Sequence, residues 1–474
     1  MNNITSIIRS IRNIMRKDEG LDGDAQRISQ MVWMLFMKIF ADKEDEWKKS
    51  RKTYKSPIPE KLKWQNWAAD KDGLTGDELI TFINDELFPV LKTIEPTDTD
   101  QSVIVKSVFN DTYNYMKKGT LFRQVINEIN KIDFSNKNLD RHVFNDIYEA
   151  ILKELQSAGS SGEYYTPRAV TQFMVDMIDP QIGESILDPA CGTGGFLTCA
   201  LDNLSIKEGF DQSSLIIQNS IRGIEKKPLP HLLCTTNLIL HGIEKPATTK
   251  GNLLTKQFDS WKGLNQVNIV LSNPPFGGQE EDNTEKNFPE EFRTKETADL
   301  FLALIVKILK KNGRASVVLP DSSLFGEGVK AKIKEELIAK CNLHTIIRLP
   351  NGVFNPYTSI KTNLLFFEKG KKTKEIWYYE MPNPEGIKNF SRSRPIDIKH
   401  FNDIKKWWIE RKENNYAWKV SLNEIKQRNF NLDIKNPHAS KEQASYSTEE
   451  LLFKIDMSFQ KSANLLAEIK KALL

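Results

Sequence analysis

Four consecutive residues, Asn273-Pro274-Pro275-Phe276, carry the most specific chemistry in the chain. They follow directly on VNIVLS, residues 267 to 272, a run of strand-forming character. Two prolines stiffen the turn and offer no N–H, so the Pro274 carbonyl and the Asn273 side-chain oxygen can face outward together as acceptors. Phe276 adds a flat apolar face beside them. Such a set suits a planar ring bearing an exocyclic NH2 group, whose two hydrogens the acceptors take while the ring stacks on Phe276. The plainer alternative is a rigid loop with a buried phenylalanine.

A second constellation is ILDPACGTGGF, residues 186 to 196: a strand, Asp188 at its carboxyl end, then glycines leading into a helix. Glycines there let the backbone approach a ligand closely, at the crevice where open α/β sheets bind their ligands. The spacing is not GxGxxG, and Asp188 would repel a pyrophosphate, so a cationic ligand with an amino group is the better match. No GKS or GKT follows, which excludes a P-loop. Glu225 ends the next strand, where a carboxylate can accept both hydroxyls of a ribose. It lies 37 residues after Asp188, against the usual separation of about 20, and extra residues between Asn203 and Ser220 account for the excess. Taken alone, such a glutamate reads equally well as a surface charge.

These residues need a sheet to hold them. Strands are predicted at Ser185 to Asp188, Ile221 to Glu225, Val267 to Ser272, Ala315 to Leu319, Thr345 to Leu349 and Asn363 to Glu368. Helical patterns between most of them predict an α/β fold with an open, mainly parallel sheet covered on both faces. The last two strands are joined by Pro350 to Thr362, too short for a crossover helix, so they should pair antiparallel at or near one edge. The polar run from Gly277 to Thr297 is expected to be a mobile loop. Residues 1 to about 150 carry apolar positions at helical spacing, as in Ile28, Met31, Val32, Leu35, Phe36 and Ile39. SAGSSG, residues 157 to 162, forms a joint, after which Thr166 can cap a helix with Pro167 in its first turn. The sheet signal fades after Gly370. A final segment opens with Ser447 and Glu450 at capping-box spacing and continues with Leu452, Ile455, Phe459, Ser462, Leu466, Ile469 and Leu473, a short heptad seam in want of a partner helix. The expected division is therefore a helical domain at 1–155, a catalytic domain at 156–375, an extension at 376–440 and a docking helix at 441–474.

Composition bounds the classes. A chain of 474 residues, at roughly 150 per domain, makes two to four domains. Charged residues at 27% and hydrophobic ones at 39% exclude wholesale disorder and a membrane bundle. The longest apolar burst, Met31 to Phe40, is broken by Lys38 and is too short to span a bilayer. Lys plus Arg at 67 against Asp plus Glu at 63 leave +4, which permits nucleic acid without arguing for it. Cys191, Cys199, Cys234 and Cys341 show no CxxC pair and no matching histidine spacing, so no metal site or disulfide framework is expected and a reducing cytoplasm fits. The amphipathic N-terminus, MNNITSIIRSIRNIMRK, reads as a surface helix rather than a signal peptide.

The run GEYYTP, DPACGTGGF, NPPF, VVLPDSSLFG and TNLLFFEKG resembles the N6-adenine DNA methyltransferases that use S-adenosylmethionine. More narrowly, the helical N-terminal domain and the motif order resemble the modification (M) subunit of type I restriction-modification systems. The resemblance covers about residues 1 to 440 and is strongest from 140 to 370. It implies a Rossmann-like mixed sheet with a helical N-terminal domain and a C-terminal helical tail. Glu163, Tyr164, Thr166 and Pro167 would then form a cofactor-binding motif. Asp188, Gly192, Thr193 and Gly194 would surround the methionine part of the cofactor, Glu225 would hold its ribose, and Asn252, where the family often has Asp, would lie near its adenine. Tyr164 replaces the more usual Phe. Asn273, Pro274 and Phe276 would carry catalysis by direct methyl transfer to a flipped-out adenine, with no covalent nucleophile and no metal. Asp299 and Phe301 read either as pocket wall or as helix N-terminal charge and core. The implied partners are double-stranded DNA, a specificity subunit shared by two modification subunits, and a restriction-translocase subunit. Residues 371 to 440 are short for reading a DNA sequence, so that task falls to the specificity subunit, with the heptad helix as its dock. Rival readings are a protein-glutamine or RNA methyltransferase with the same NPPF chemistry, and a non-catalytic assembly subunit.

Overall fold

The structure is a computed structural model that describes residues 2–95, 100–134, 165–208, 215–276, 280–355, 357–391 and 393–438, and in the last segment 452, 455–460 and 462. Glu163, Tyr164, the joint at 157 to 162 and the boundary near 155 lie outside the described residues, as does most of the heptad segment.

The N-terminal region is helical. Helix α1 (Asn2–Met15) buries Ile7, Ile8, Ile11 and Met15, so the amphipathic N-terminus lays one face into a core. Helix α2 (Asp24–Ser50) carries the Met31 to Phe40 burst, and Trp33, Phe36 and Phe40 are fully buried in it. With no polar face in its middle turns, α2 must be surrounded, and helix α3 (Gly119–Ile129) is among its neighbours. Trp64 and Trp67 are buried as well.

A nine-stranded sheet follows, in the order β3-β2-β1-β4-β5-β7-β6-β8-β9. Its strands are β1 (Ile186–Asp188), β2 (Ile221–Glu225), β3 (Ala247–Lys250), β4 (Val267–Ser272), β5 (Leu309–Pro320), β6 (Cys341–Arg348), β7 (Thr362–Lys369), β8 (Glu375–Glu380) and β9 (Ala417–Ser421). β1 pairs parallel with β2 and β4, β2 with β3, and β4 with β5. Strands this buried on both faces need crossover helices. Helices α4 (Arg168–Ile178), α5 (Gly195–Glu208), α6 (Pro228–Leu240), α7 (Thr297–Ile308) and α8 (Val329–Lys340) flank them.

β6 and β7 pair antiparallel near one edge, as expected, with β8 joined to β6 and β9 to β8 beyond them. Two expectations are corrected. The sheet therefore continues past Gly370, and the expected boundary at 375 falls at the start of β8. Aromatic residues explain the continuation: Tyr378 and Trp418 stack at 5.3 Å and 12° across these two strands. The segment expected to be a mobile loop is docked over 280 to 297, where Phe288 and Phe292 are buried against Phe258. Its two phenylalanines are enough apolar surface to anchor an otherwise charged run.

The helical region and the sheet share a core. Leu232, Leu233, Ile239 and Leu240 of α6 pack into the N-terminal cluster, and Arg51 pairs with Glu244 at 2.5 Å across the same junction. No helix among the described residues is long and apolar enough to cross a membrane.

Candidate active site

Parallel pairing puts the carboxyl ends of β1, β2 and β4 on one edge, and each of those strands ends in a polar residue there: Asp188, Glu225 and Ser272. Asp188 is 1% exposed, and its Oδ1 accepts from the Ala190 N–H at 3.1 Å and the Ser272 hydroxyl at 3.0 Å. Burial pushes its carboxyl up to about 7; those two hydrogen bonds oppose the rise, and the charge of Glu225 adds to it. The carboxyl is thus poised to ionise when a cation arrives.

The loop after β1 is shaped by glycines. Gly192 and Gly194 have φ of +52° and +85°, a region that L side chains avoid. Gly194 also presses on α6, where an added Cβ would meet Cys234 Sγ at 2.8 Å. Gly192 has open space instead, on the cleft side. Its N–H donates to Glu225 Oε2 at 2.9 Å, and the Lys227 N–H donates to Oε1 at 2.8 Å. Glu225 therefore ties the end of β2 to the glycine loop.

A narrow cleft lies between these parts, lined among others by Tyr165, Thr166, Asp188, Gly192, Thr193 and Asn273. Asn273 is 8% exposed. Its Nδ2 donates to Thr166 Oγ1 at 2.9 Å, and its Oδ1 is buried with no partner among the described residues. A buried acceptor left unpaired costs about 1–3 kcal/mol, and its place here is where a substrate donor would relieve that cost. Contrary to the expectation from sequence, Thr166 does not cap the following helix and Pro167 is not in its first turn: α4 starts with Pro167 at its N-cap and makes no side-chain cap bond.

The remaining expected site residues fall elsewhere. Pro274 is buried and outside the cleft lining. Phe276 is 3% exposed, with its ring edge-on to Phe354 at 6.3 Å and 73°. It lies in the core and does not open a stacking face onto the cleft. Asn252 spends its side chain on local structure: Oδ1 accepts from the Leu254 N–H at 3.0 Å and Nδ2 donates to Glu280 at 2.7 Å. Asp299 pairs with Lys330 at 3.4 Å near the start of α7, and Phe301 is buried in the core, so both take the structural alternative. Tyr165, Thr171, Phe196 and Ser272 belong to the cleft or its support and went unread in the sequence. Tyr165 and Phe196 lie inside GEYYTP and ILDPACGTGGF, and Ser272 directly precedes Asn273, so their motifs could have found them; Thr171 had no such signal. The four cysteines are free and buried, with Cys191 and Cys234 at 3.7 Å.

The family described as N-6 DNA Methylase matches residues 139–445, and that described as HsdM N-terminal domain matches residues 4–129. The chain is 56% identical over 462 residues to the Type I restriction enzyme EcoEI methylase subunit of Escherichia coli, covering 95% of this chain and 93% of that one. A solved modification subunit, assigned to a type I restriction enzyme of Vibrio vulnificus YJ016, is 41% identical with a TM-score of 0.84, over 92% of this chain and 97% of that one. A structure concerned with complex assembly and conformational transition of the type I R-M system is 32% identical with a TM-score of 0.80, over 100% of this chain and 98% of that one.

Proposed function

The chain belongs to the N-6 DNA methylase family, among the methylase subunits of type I restriction enzymes, and from that premise we propose how its cleft works. It is an adenine-specific DNA methyltransferase subunit of a type I restriction-modification complex, with the DNA sequence read by a separate specificity subunit. One observation carries the assignment of the cleft: Asn273, whose Oδ1 is buried without a partner among the described residues, lines the same small cleft as Asp188 and the glycine loop.

S-adenosylmethionine, when bound, supplies an electrophilic methyl group on a sulfonium. Three features of the chain fit it. Asp188 offers a carboxylate to the cofactor's amino group, Gly192 leaves room for close backbone approach, and Glu225, held at the end of β2 against the glycine loop, is a carboxylate of the kind that accepts ribose hydroxyls. Thr193 and Gly194 complete the loop. Asn252 does not fit as an adenine contact, since both ends of its amide are engaged.

Asn273 Oδ1 accepts from the NH2 group of a flipped-out adenine and holds its nitrogen lone pair toward the methyl carbon; the Pro274 carbonyl is the second acceptor only if the turn moves to bring it into the cleft. Phe276, edge-on to Phe354, backs this turn in the conformation described and stacks on the base only if its ring turns outward. The reaction needs no enzyme nucleophile: the N–C bond forms as the C–S bond breaks, and the amino proton leaves to solvent.

Double-stranded DNA, a specificity subunit serving two copies of this chain and a restriction-translocase subunit are the proposed partners. The cytoplasm, where DNA and cofactor meet, is the proposed compartment. The test incubates the chain with labelled S-adenosylmethionine and DNA, with and without its specificity subunit, and digests the DNA to nucleosides. Label in N6-methyladenine, dependent on the partner, is expected; label in any other nucleoside overturns the reading.

A further inference from the structure

We propose that Phe325 is an apolar wedge for duplex DNA, a side chain that enters the base stack at the step from which the target adenine leaves. The proposal rests on the adenine-N6 reading above and adds a residue outside the cleft.

Flipping a base out of a duplex breaks its pairing and stacking, and the bases left behind lose a neighbour. An apolar side chain that pries open or fills that step lowers the barrier, and proteins that kink duplexes insert Phe, Leu or Ile in this way. Such a side chain has to stand at the sheet edge that carries Asn273, be exposed before DNA arrives, and sit on a backbone that does not yield.

Strand register places Phe325 at that edge. β5 lies directly beside β4 with Ser272 opposite Val317, so β5 runs on past the level of Asn273 to Pro320. A single helical turn, Asp321–Leu324, follows, and Phe325 is its C-cap. The loop that enters β7 adjoins it: Pro320 pairs with Thr362, and the Asp321 N–H donates to the Lys361 carbonyl at 3.1 Å. Phe325 and Ile360, one on each loop, are both 45% exposed, and among the described residues from 217 to 408 they are the two exposed large apolar side chains. Glu327 and Lys361 are exposed beside them with opposite charges, so this surface offers apolar groups rather than a grip on phosphates.

The backbone around Phe325 is fastened on both sides. Lys334, 1% exposed, donates to the Leu324 carbonyl at 2.8 Å and to the Gly326 carbonyl at 3.4 Å. The Leu432 N–H also donates to the Leu324 carbonyl, at 2.9 Å, and Lys330 donates to the Ser322 carbonyl at 3.1 Å. Gly326 takes a φ of +101°, which a residue with a side chain would resist. Burying an ammonium group is unfavourable unless it is hydrogen-bonded, and this one is given to the two carbonyls that flank an exposed ring. The ring is thus presented to solvent without being loose.

The experiment measures single-turnover methylation by the chain in complex with its specificity subunit. One duplex is fully paired; the other has its target adenine mispaired, which makes flipping easier and a wedge less necessary. Each variant is compared with wild type on the same duplex. Phe325→Ala should lower the rate about tenfold on the paired duplex and less than about twofold on the mispaired one, with the calorimetric Kd for S-adenosylmethionine unchanged. Phe325→Leu, still apolar and bulky, should keep most of the wild-type rate. A wild-type rate for Phe325→Ala on the paired duplex overturns the proposal. An equal loss on both duplexes overturns it too, because the ring then serves the flipped base or the fold. A Phe325→Ala chain that no longer assembles with the specificity subunit assigns the ring to that interface and also overturns it. If the wild-type complex forms no N6-methyladenine, the underlying reading fails and this one with it; methylation by wild type with no selective loss in Phe325→Ala overturns this one alone.

Discussion

Asn273 and Asp188 show how one strand edge produces two opposite electrostatic needs within a single cleft. Asn273 must stay neutral and present an acceptor, whereas Asp188 must become an anion in a place that resists charge. Replacing Asn273 with Ala removes the acceptor and should lower kcat by about 10²–10³, with cofactor Kd retained in calorimetry. For Asp188 the sign follows from burial. Its folded value is raised from the ordinary 3.8 to about 7, so between those values the folded chain keeps a proton that the unfolded chain releases. Its contribution to stability therefore falls as pH rises from about 4 to about 7 and is level above. Cofactor binding has the opposite slope, because the ligand's amino cation needs the carboxylate. Affinity for S-adenosylmethionine should rise with pH up to about 7, then decline as the ligand's own α-amino group loses charge near about 8. Calorimetric titration from about pH 5.5 to about 8.5 measures it, and Asp188→Asn should remove the rising limb. Asp188 and Asn273 were legible in the sequence because each follows a strand in a particular motif. The hydrogen bond between Asn273 and Thr166 was not, since nothing in local spacing links positions 107 apart.

At the scale of elements, period and residue type succeeded where strands were apolar and central, and failed where they were short or polar. β1, β2 and β4 through β7 are all rich in Val, Ile, Leu or Phe, and their approximate positions could be read. β3, with the sequence ATTK, is largely exposed at the sheet's edge and gives no alternation. β8 and β9, EIWYYE and AWKVS, sit in a lysine-rich stretch whose composition masks their aromatic residues. Their cohesion is testable. Trp418 is 2% exposed and stacks on Tyr378, so Trp418→Ala should destabilise by about 3–5 kcal/mol. If β8 and β9 are cooperative with the rest of the sheet, denaturant unfolding followed by far-UV dichroism and by tryptophan fluorescence should shift together. Separate transitions would mean that the extension folds independently.

Across the whole molecule, α6 belongs to two cores at once: Leu232, Leu233, Ile239 and Leu240 feed the helical cluster, and Cys234 and Leu238 pack into a core of the sheet, Cys234 against Gly194. Leu233→Ala should therefore cost about 2–5 kcal/mol and lower the melting temperature of helical region and sheet together, as read by scanning calorimetry. The net charge of +4 is small for a DNA-binding chain, so the isolated chain should bind duplex DNA weakly and with only a shallow dependence on salt, and tightly and more steeply with its specificity subunit, as fluorescence anisotropy would measure. The exposed seam residues Leu452, Ile455 and Phe459 remain candidates for that dock; the rest of the heptad segment lies outside the described residues. By itself the sequence determined the local chemistry: strand ends carrying Asp188, Glu225 and Asn273, glycines where the backbone must turn, and a helical region ahead of them. Those are set by backbone sterics and short-range pattern. The tertiary structure alone decided that the Asn273 amide bonds Thr166, that Phe276 turns into the core, that Phe288 and Phe292 pin a charged segment, and that the sheet runs on through β9. Each of these depends on contacts between residues far apart in sequence, whose energies no local pattern records.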